Sequence, residues 1–131
     1  MTVERPLVLD AGALINLEKN PTGRAYAICT ETLNRGQPVL LPTVVFAQVW
    51  RNDPRQVPIA RLRRSCTRLP FTDEVSEAVG RLLAASGSSD VVDAAVVIAA
   101  AIYNAAVLTS DPSDIGKLAE AMEASVPLVV V

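Results

Sequence analysis

The chain has 131 residues, half of them hydrophobic, a net charge of −2 and a sequence pI near 5.1. This length predicts one domain, residues 1–131, large enough to fold without a structural metal or disulfide. Domains that bind nucleic acid are often basic, so the net negative charge weighs weakly against nucleic-acid binding. The longest apolar run, residues 94–103, is too short to cross a bilayer, so no membrane association is expected. Without a signal-sequence pattern or metal-type cysteine spacing, we expect a cytoplasmic protein with reduced thiols.

The first half of the chain alternates short apolar runs with helical periodicity. "RPLVLD" predicts a buried strand that ends at Asp10, and two helices follow, separated by the breaker "NPTG". Gly36 is a suitable C′ residue for the second helix, and "PVLLP" forms the next strand. Thr43 is expected to cap a helix over "VVFAQVWRN", and "IARLRRSC" predicts another helix before the strand "TRLPF".

The second half continues the same alternation. Thr72 begins a helix that ends at Gly87, and either Ser88 or Ser89 is expected to cap the next, apolar helix. "AAVLTS" is a fourth strand, "PSDIGKLAEAME" a helix and "VPLVVV" the closing strand. Strands that alternate with helices predict an α/β fold: a three-layer α/β/α domain around a central, mostly parallel sheet of about five strands.

Carboxylates surround the most apolar segment of the chain. Asp90 and Asp93 precede this segment, and Asp111 and Asp114 follow it, yet no Lys or Arg lies between residues 82 and 116. Burying a charge without a partner is costly. Asp10 and Asp111 both follow strands, and the carboxyl ends of parallel strands meet at one edge of a sheet. We therefore expect these acids to converge there.

The absence of histidine narrows the chemistry that this cluster can perform. It removes the usual general base and every Ser-His or Cys-His nucleophile. An all-oxygen, carboxylate-rich site suits Mg²⁺ or Mn²⁺ rather than Zn²⁺. Each aspartate also has a structural interpretation as a helix cap or a complement to a helix dipole. That interpretation is weakest for Asp93, because "VVDAAVVIAA" continues apolar on both sides.

Three segments of the chain match the motifs of a known family in their order: "LVLDAGALI", "LPTVVFAQVWR" and "SDVVDAAVVIAAAIYNAAVLTSDPSDI". They resemble successive motifs of PIN-domain proteins, most of all the VapC-type ribonuclease toxins of toxin–antitoxin systems. The resemblance implies a Mg²⁺-dependent endoribonuclease that leaves a 5′-phosphate and a 3′-hydroxyl, forms a homodimer and binds a cognate VapB-like antitoxin. It implies Asp10, Asp93 and Asp111 as catalytic and metal-binding acids, and Asp90 as a further ligand. Asp114 and the Thr109 or Ser110 hydroxyl are possible assisting groups.

One residue departs from the family pattern. The family usually has glutamate in the helix after the second strand, where this chain has Gln48. Gln48 could assist through its carbonyl oxygen, but the lost charge implies weaker metal binding. The alternative function is therefore a catalytically weak or inactive PIN-fold module that binds RNA or protein, and Gln48 could also lie outside the site. A phosphotransfer protein is disfavoured, because Gly12 stands where the haloacid dehalogenase pattern needs a second aspartate.

A basic stretch between residues 51 and 68 contains half of the chain's Lys and Arg residues. One interpretation is a surface that follows the phosphates of RNA. The alternatives are an ordinary solvated face and a docking surface for an acidic antitoxin segment. The residues concerned are Arg51, Arg55, Arg61, Arg63, Arg64 and Arg68.

Overall fold

The computed structural model describes residues 4–131 and contains five strands and seven α-helices within them. One turn of 3₁₀-helix, Pro54–Gln56, precedes α4. The elements, in chain order, are β1 (Leu7–Leu9), α1 (Ala11–Lys19), α2 (Arg24–Asn34), β2 (Val39–Pro42), α3 (Thr43–Val49), α4 (Val57–Ser65), β3 (Thr67–Leu69), α5 (Asp73–Ser86), α6 (Val91–Tyr103), β4 (Ala106–Thr109), α7 (Pro112–Ala121) and β5 (Leu128–Val130).

The strands form one sheet in the order β3-β2-β1-β4-β5, and every neighbouring pair is parallel. At its centre Leu7 pairs with Ala106, and Leu9 pairs with Leu108. β1, β2 and β4 are buried along their whole length, as expected for strands covered on both faces. The α/β fold predicted from the sequence is confirmed.

The strand order divides the helices into two layers. The chain moves outward in one direction from β1 to β2 to β3, through α1 to α4. It then returns through α5 and α6 to β4 and moves outward in the opposite direction to β5. Because parallel crossovers are right-handed, helices that accompany opposite directions cover opposite faces of the sheet. The α1–α4 helices accordingly pack among themselves, as do α5, α6 and α7, with α3 also touching α6.

Two predicted helix caps are wrong. Thr43 is not a cap but the first residue of α3, because Pro42, with its extended backbone, already occupies the N-cap position. Neither Ser88 nor Ser89 caps α6. Asp90 does so, since its carboxylate accepts from the Asp93 N–H, and a negative charge suits the positive end of a helix better than a hydroxyl does.

Other helix boundaries agree with the sequence or differ by a few residues. Thr72 caps α5, and Gly87 ends it with a φ of 73°, a left-handed conformation that glycine adopts readily. α3 is shorter than predicted and ends at Val49, because the backbone of Trp50 is extended. β1 ends at Leu9, and Asp10 is the N-cap residue of α1.

The apolar helix α6 lies in the core. Its residues 94–100 are all buried, and they pack against the sheet together with the central strands. Within residues 4–131 no single helix is long and apolar enough to cross a membrane. The consecutive helices α5 and α6 satisfy the length and composition only as a pair bent by 109°.

Candidate active site

The candidate site lies where the sheet's connections change direction. β1 and β4 are adjacent at the centre, but the chain leaves β1 toward one side and β4 toward the other. Ligand sites in open α/β sheets form in the crevice at such a point, outside the carboxyl ends of the strands. Asp10 directly follows β1, and Asp111 lies two residues after β4. α6 runs back toward the start of β4 and therefore begins at this same edge.

Three of the five aspartates cap helices whose N-termini converge on this edge. Oδ1 of Asp10 accepts from the Ala13 N–H at 2.8 Å, and Oδ1 of Asp90 accepts from the Asp93 N–H at 2.9 Å. Oδ1 of Asp111 accepts from the Asp114 N–H at 3.3 Å. The capping interpretation of these three residues is thus confirmed, but each cap bond engages a single oxygen. The three helix dipoles also supply positive potential that the sequence does not provide through Lys or Arg.

Asp10 is the innermost acid of the cluster, with only 3% of its surface exposed. Burial raises the pKa of its carboxyl, and the charge of Asp111 raises it further. Hydrogen bonds from Thr109, Ala13 and Gly12 partly offset this rise in pKa. Thr109 is itself fully buried, and its hydroxyl oxygen accepts from the Asp111 N–H at 2.8 Å. Thr109 therefore links the two acids that follow β1 and β4.

Asp93 has the most perturbed carboxyl in the cluster. Burial, as the largest cause, together with the charges of Asp90 and Asp10, a hydrogen bond with Asp90 and the charge of Asp114 raises its pKa to about 7. No salt bridge within residues 4–131 involves this residue. A half-buried carboxylate that faces other acids without a cationic partner is a typical functional-site feature.

Asp90, Asp93 and Asp114 line a groove of about 260 Å³ between the α5–α6 turn and α7, which we call the acid groove. A hydrogen bond with Asp111 and the charge of Asp111 raise the pKa of Asp114, and Lys117 partly counteracts this. The remaining lining residues are Ser86, Gly87, Ser88, Lys117 and Leu118.

The donor set of the cluster has the chemistry of a hard divalent cation. Every candidate ligand is a carboxylate. Burial is the main cause of the raised pKa of Asp10 and Asp93, and a hydrogen bond with Asp111 is the main cause for Asp114, with repulsion among the acids adding to each. Mg²⁺ and Mn²⁺ prefer such oxygen ligands. Across residues 4–131, however, no three Asp, Glu or Cys side chains are already arranged to hold an ion. Joint coordination of one ion would therefore require these side chains to rotate.

Gln48 does not line the acid groove. It is exposed on α3 and lines another groove with Ile15, Glu18 and Arg51. The face of α3 that carries Gln48 is thus turned toward α1, and the structure gives it no contact with the acid groove.

The arginines of the basic stretch lie in different surroundings. Arg51 and Arg55 line the groove beside Gln48, and Arg55 pairs with Asp53 at 3.1 Å. Arg61 lines a separate groove between α2 and α4. The Arg63 guanidinium lies 4.0 Å from the centroid of the Phe46 ring, a cation–π contact. The two remaining arginines, Arg64 and Arg68, are exposed.

Gly12 has a role in the site that the sequence did not reveal. A Cβ atom at this position would lie 1.9 Å from Oγ and 3.0 Å from Cβ of Ser110, and 3.4 Å from Oδ1 of Asp10. Only glycine therefore lets the end of β4 approach the first turn of α1 so closely. The sequence does show a glycine in the first turn of the helix that follows Asp10, which suggests a close approach by another part of the chain. It does not show that Ser110 is the residue that approaches.

The substitution Gly12→Ala should destabilise the protein by about 1 kcal/mol, although alanine is normally the better helix residue by a similar amount. The reason is the contact with Ser110. In a Ser110→Gly background the same substitution should become neutral or stabilising. Urea unfolding of the four proteins of this double-mutant cycle measures the coupling. Equal costs in both backgrounds would show that Ser110 is not the constraint.

The sheet order, the two helical layers and the acids beside β1 and β4 define a PIN-like α/β/α fold. Two solved structures that share it are VapBC2 from Rickettsia felis bound to a DNA fragment from their promoter and FitAB bound to the IR36 DNA fragment. The first superposes with a TM-score of 0.72 and 14% identity over 96% of this chain and 98% of the other. The second has a TM-score of 0.64 and 15% identity, over 95% and 94%.

Similarity at this level of identity concerns the fold. No protein-family model matches the sequence, and no curated protein matches it significantly. The function must therefore be argued from the site itself.

Proposed function

We propose that this protein is a metal-dependent endoribonuclease of the VapC type, which hydrolyses phosphodiester bonds in RNA. The observation that carries the proposal is Asp93, whose carboxyl is affected by Asp10, Asp90 and Asp114 and forms no salt bridge with any cationic side chain of residues 4–131. Its position at the change of direction between β1 and β4, in a fold shared with VapBC2 and FitAB structures, supports the same function.

Asp10, Asp93 and Asp111 would hold Mg²⁺, or Mn²⁺, with Asp90 as a further ligand. When bound, the ion would supply an activated water and stabilise the leaving oxygen of the phosphodiester. Thr109 orients Asp10 and Asp111 through its buried hydroxyl. Without a bound cation, burial and the neighbouring acids raise the pKa of Asp93 to about 7, and a bound cation would favour its ionised form, which is the form that ligates.

Gln48 favours a second candidate function, a PIN-fold module that binds RNA or protein with little or no turnover. The residue is neutral and lies in a different groove from Asp93. The charge that the family usually has in this helix is therefore not supplied by α3. Under this alternative the protein would bind RNA in the presence of a divalent ion without cleaving it.

We further propose that the protein acts in the cytoplasm as the toxin of a toxin–antitoxin pair, as a homodimer held by a VapB-like antitoxin. The shared fold with VapBC2 and FitAB supports this. Phe71, Ile102 and Tyr103 are exposed around an apolar groove beside α6, which provides surface for such contacts. The separated arginines offer several small basic surfaces, so that RNA and an acidic antitoxin segment could use different ones.

The nuclease function is tested by incubating the purified protein with end-labelled RNA in Mg²⁺, in Mn²⁺ and in EDTA. We expect cleavage only with a divalent ion, and products with a 5′-phosphate and a 3′-hydroxyl. Asp93→Asn should reduce the rate at least about a hundredfold, because it removes a charge from the cluster at nearly constant shape. Asp73→Asn, on the exposed first turn of α5, is the matched control and should keep the full rate.

Two results would contradict the assignment. Cleavage that persists in EDTA and leaves cyclic phosphates would indicate a contaminating nuclease. Undiminished activity in Asp93→Asn would exclude this site. Binding of RNA without cleavage in either metal would instead favour the binding module.

A further inference from the structure

Lys117 is the cationic residue among those that line the acid groove. It lies on α7 one turn after Asp114, is exposed, and affects that carboxyl through its charge. Yet none of the salt bridges within residues 4–131 includes it. An ammonium group beside three aspartates, but not paired with any of them, is available to another anion.

The sequence makes this position distinctive. The chain has two lysines, and the other, Lys19, is in the last turn of α1, at the end of that helix away from Asp10. No Lys or Arg occurs between residues 82 and 116. A polyanion that reaches Asp93 therefore meets three carboxylates in the groove and a single ammonium group, which would offset part of their repulsion.

The arginine stretch does not supply this charge in the acid groove. Arg51 and Arg55 line the groove beside Gln48, and Arg61 lines the one between α2 and α4. The other polar side chains of the acid groove besides its acids are the hydroxyls of Ser86 and Ser88. These hydroxyls belong to the end of α5 and the α5–α6 turn, whereas Lys117 and Asp114 belong to α7.

We propose that Lys117 binds a phosphate of the substrate next to the scissile one, so that a single RNA strand lies in the acid groove between the α5–α6 turn and α7. This inference rests on the proposed nuclease function and names the substrate path for that site. Lys117 acts here in binding and orientation. The competing role is a structural countercharge that only moderates the repulsion among Asp90, Asp93 and Asp114.

The two roles differ in what they do to RNA and to the metal. We expect Lys117→Met to raise KM for single-stranded RNA about tenfold with kcat changed less than threefold. Lys117→Arg should restore KM to within threefold. The Mg²⁺ concentration for half-maximal activity should stay the same. A countercharge would give the opposite pattern: lower half-maximal Mg²⁺ after its removal, and an unchanged KM.

Salt dependence provides a readout that cleavage does not affect. Fluorescence anisotropy of labelled single-stranded RNA, with Ca²⁺ as the divalent ion, gives Kd over a range of KCl concentrations. Each phosphate contact on a single strand contributes about 0.7 to the slope of log K against log salt. Lys117→Met should therefore lower the slope by about 0.7, and the matched control Lys19→Met should leave it unchanged.

The outcomes separate this inference from the proposed function. If the wild-type protein binds RNA without cleaving it, the nuclease function fails, and the change in salt slope still decides the role of Lys117. An unchanged slope and KM in Lys117→Met, or an equal change in Lys19→Met, would overturn the inference even if the protein is a nuclease. Absence of any RNA binding by the wild-type protein would overturn both.

Discussion

Asp93→Asn is expected to make the protein more stable at pH 8 in EDTA while it removes activity. The ionised Asp93 carboxylate is disfavoured in the folded chain by burial and by the charges of Asp90, Asp10 and Asp114. Asparagine keeps the shape and the backbone N–H that Asp90 caps, but carries no charge. Most substitutions destabilise a protein, so a gain at a candidate catalytic position would indicate a residue kept for function.

The sign of the pH dependence follows from the direction of the shift. The pKa of Asp93 is about 7 in the folded protein and near the ordinary value of 3.8 in the unfolded chain. Below about pH 4 both states hold the proton, so the wild-type protein has no penalty. Between about pH 4 and pH 7 the unfolded chain has released the proton that the folded protein still holds, so stability falls over this range and levels off above pH 7. Asp93→Asn lacks this loss of stability. The free energies of unfolding of the two proteins should therefore differ above pH 5 and become similar near pH 4.

The size of this effect is limited by solvent. The full displacement of the pKa would correspond to about 4 kcal/mol, but Asp93 is only half-buried, and screening reduces the expected gain to about 1–2 kcal/mol. That corresponds to roughly 4–8 °C in Tm at pH 8. Thermal unfolding by circular dichroism from pH 4 to 8 measures it, with Asp73→Asn as the control. A lower Tm for Asp93→Asn, or a gain that does not vary with pH, would contradict the account.

Mg²⁺ is expected to raise the Tm of the wild-type protein strongly at pH 8 and weakly at pH 5. A ligand that binds only the folded state, at a hundredfold excess over its Kd, stabilises by about 2.7 kcal/mol. For a domain of this size that is roughly 10 °C. At pH 5 the ion must first displace the proton that Asp93 holds, and its affinity falls accordingly.

The metal experiment has two controls. NaCl at matched ionic strength separates specific binding from the general screening of repulsion among the acids. Asp93→Asn should lose most of the Mg²⁺ response. If NaCl reproduces the rise, or if Asp93→Asn responds as the wild-type protein does, the acids relieve their repulsion without forming a metal site. Isothermal titration calorimetry would then give no saturable heat.

The layout of the fold was readable from the sequence because local signals and burial agreed. The strands before Asp10 and Asp111 are apolar throughout, which predicts a central position in the sheet. Their alternation with helices predicts parallel pairing. Asp93 was identifiable because its position at the start of an apolar helix is only weakly explained by the helix dipole. The approach of Asp10 to Asp111 was predictable from strand direction, whereas the position of Asp93 also depends on where α6 begins.

What the sequence could not provide depends on rotation and packing between elements. The side of α3 that Gln48 occupies is set by its contact with α1, which no local pattern encodes. The arginines are close in sequence, but the turn before α4 and the stacking of Arg63 on Phe46 separate them in space. The choice of Asp90 over Ser88 or Ser89 as the cap of α6 shifts the start of the helix by only one or two residues, which the sequence pattern does not resolve.

The pairing of β1 with β4 has a consequence for the order of events during synthesis. β1 and β4 pair although most of the other elements lie between them in the sequence, so the contact that brings Asp10 to Asp111 is strongly non-local. Contacts of this kind close large loops and form late. During synthesis Asp10 would therefore lack Asp111 beside it until β4 is available to pair with β1. Assembly of the acid cluster, and any activity that it supports, would depend on this late contact.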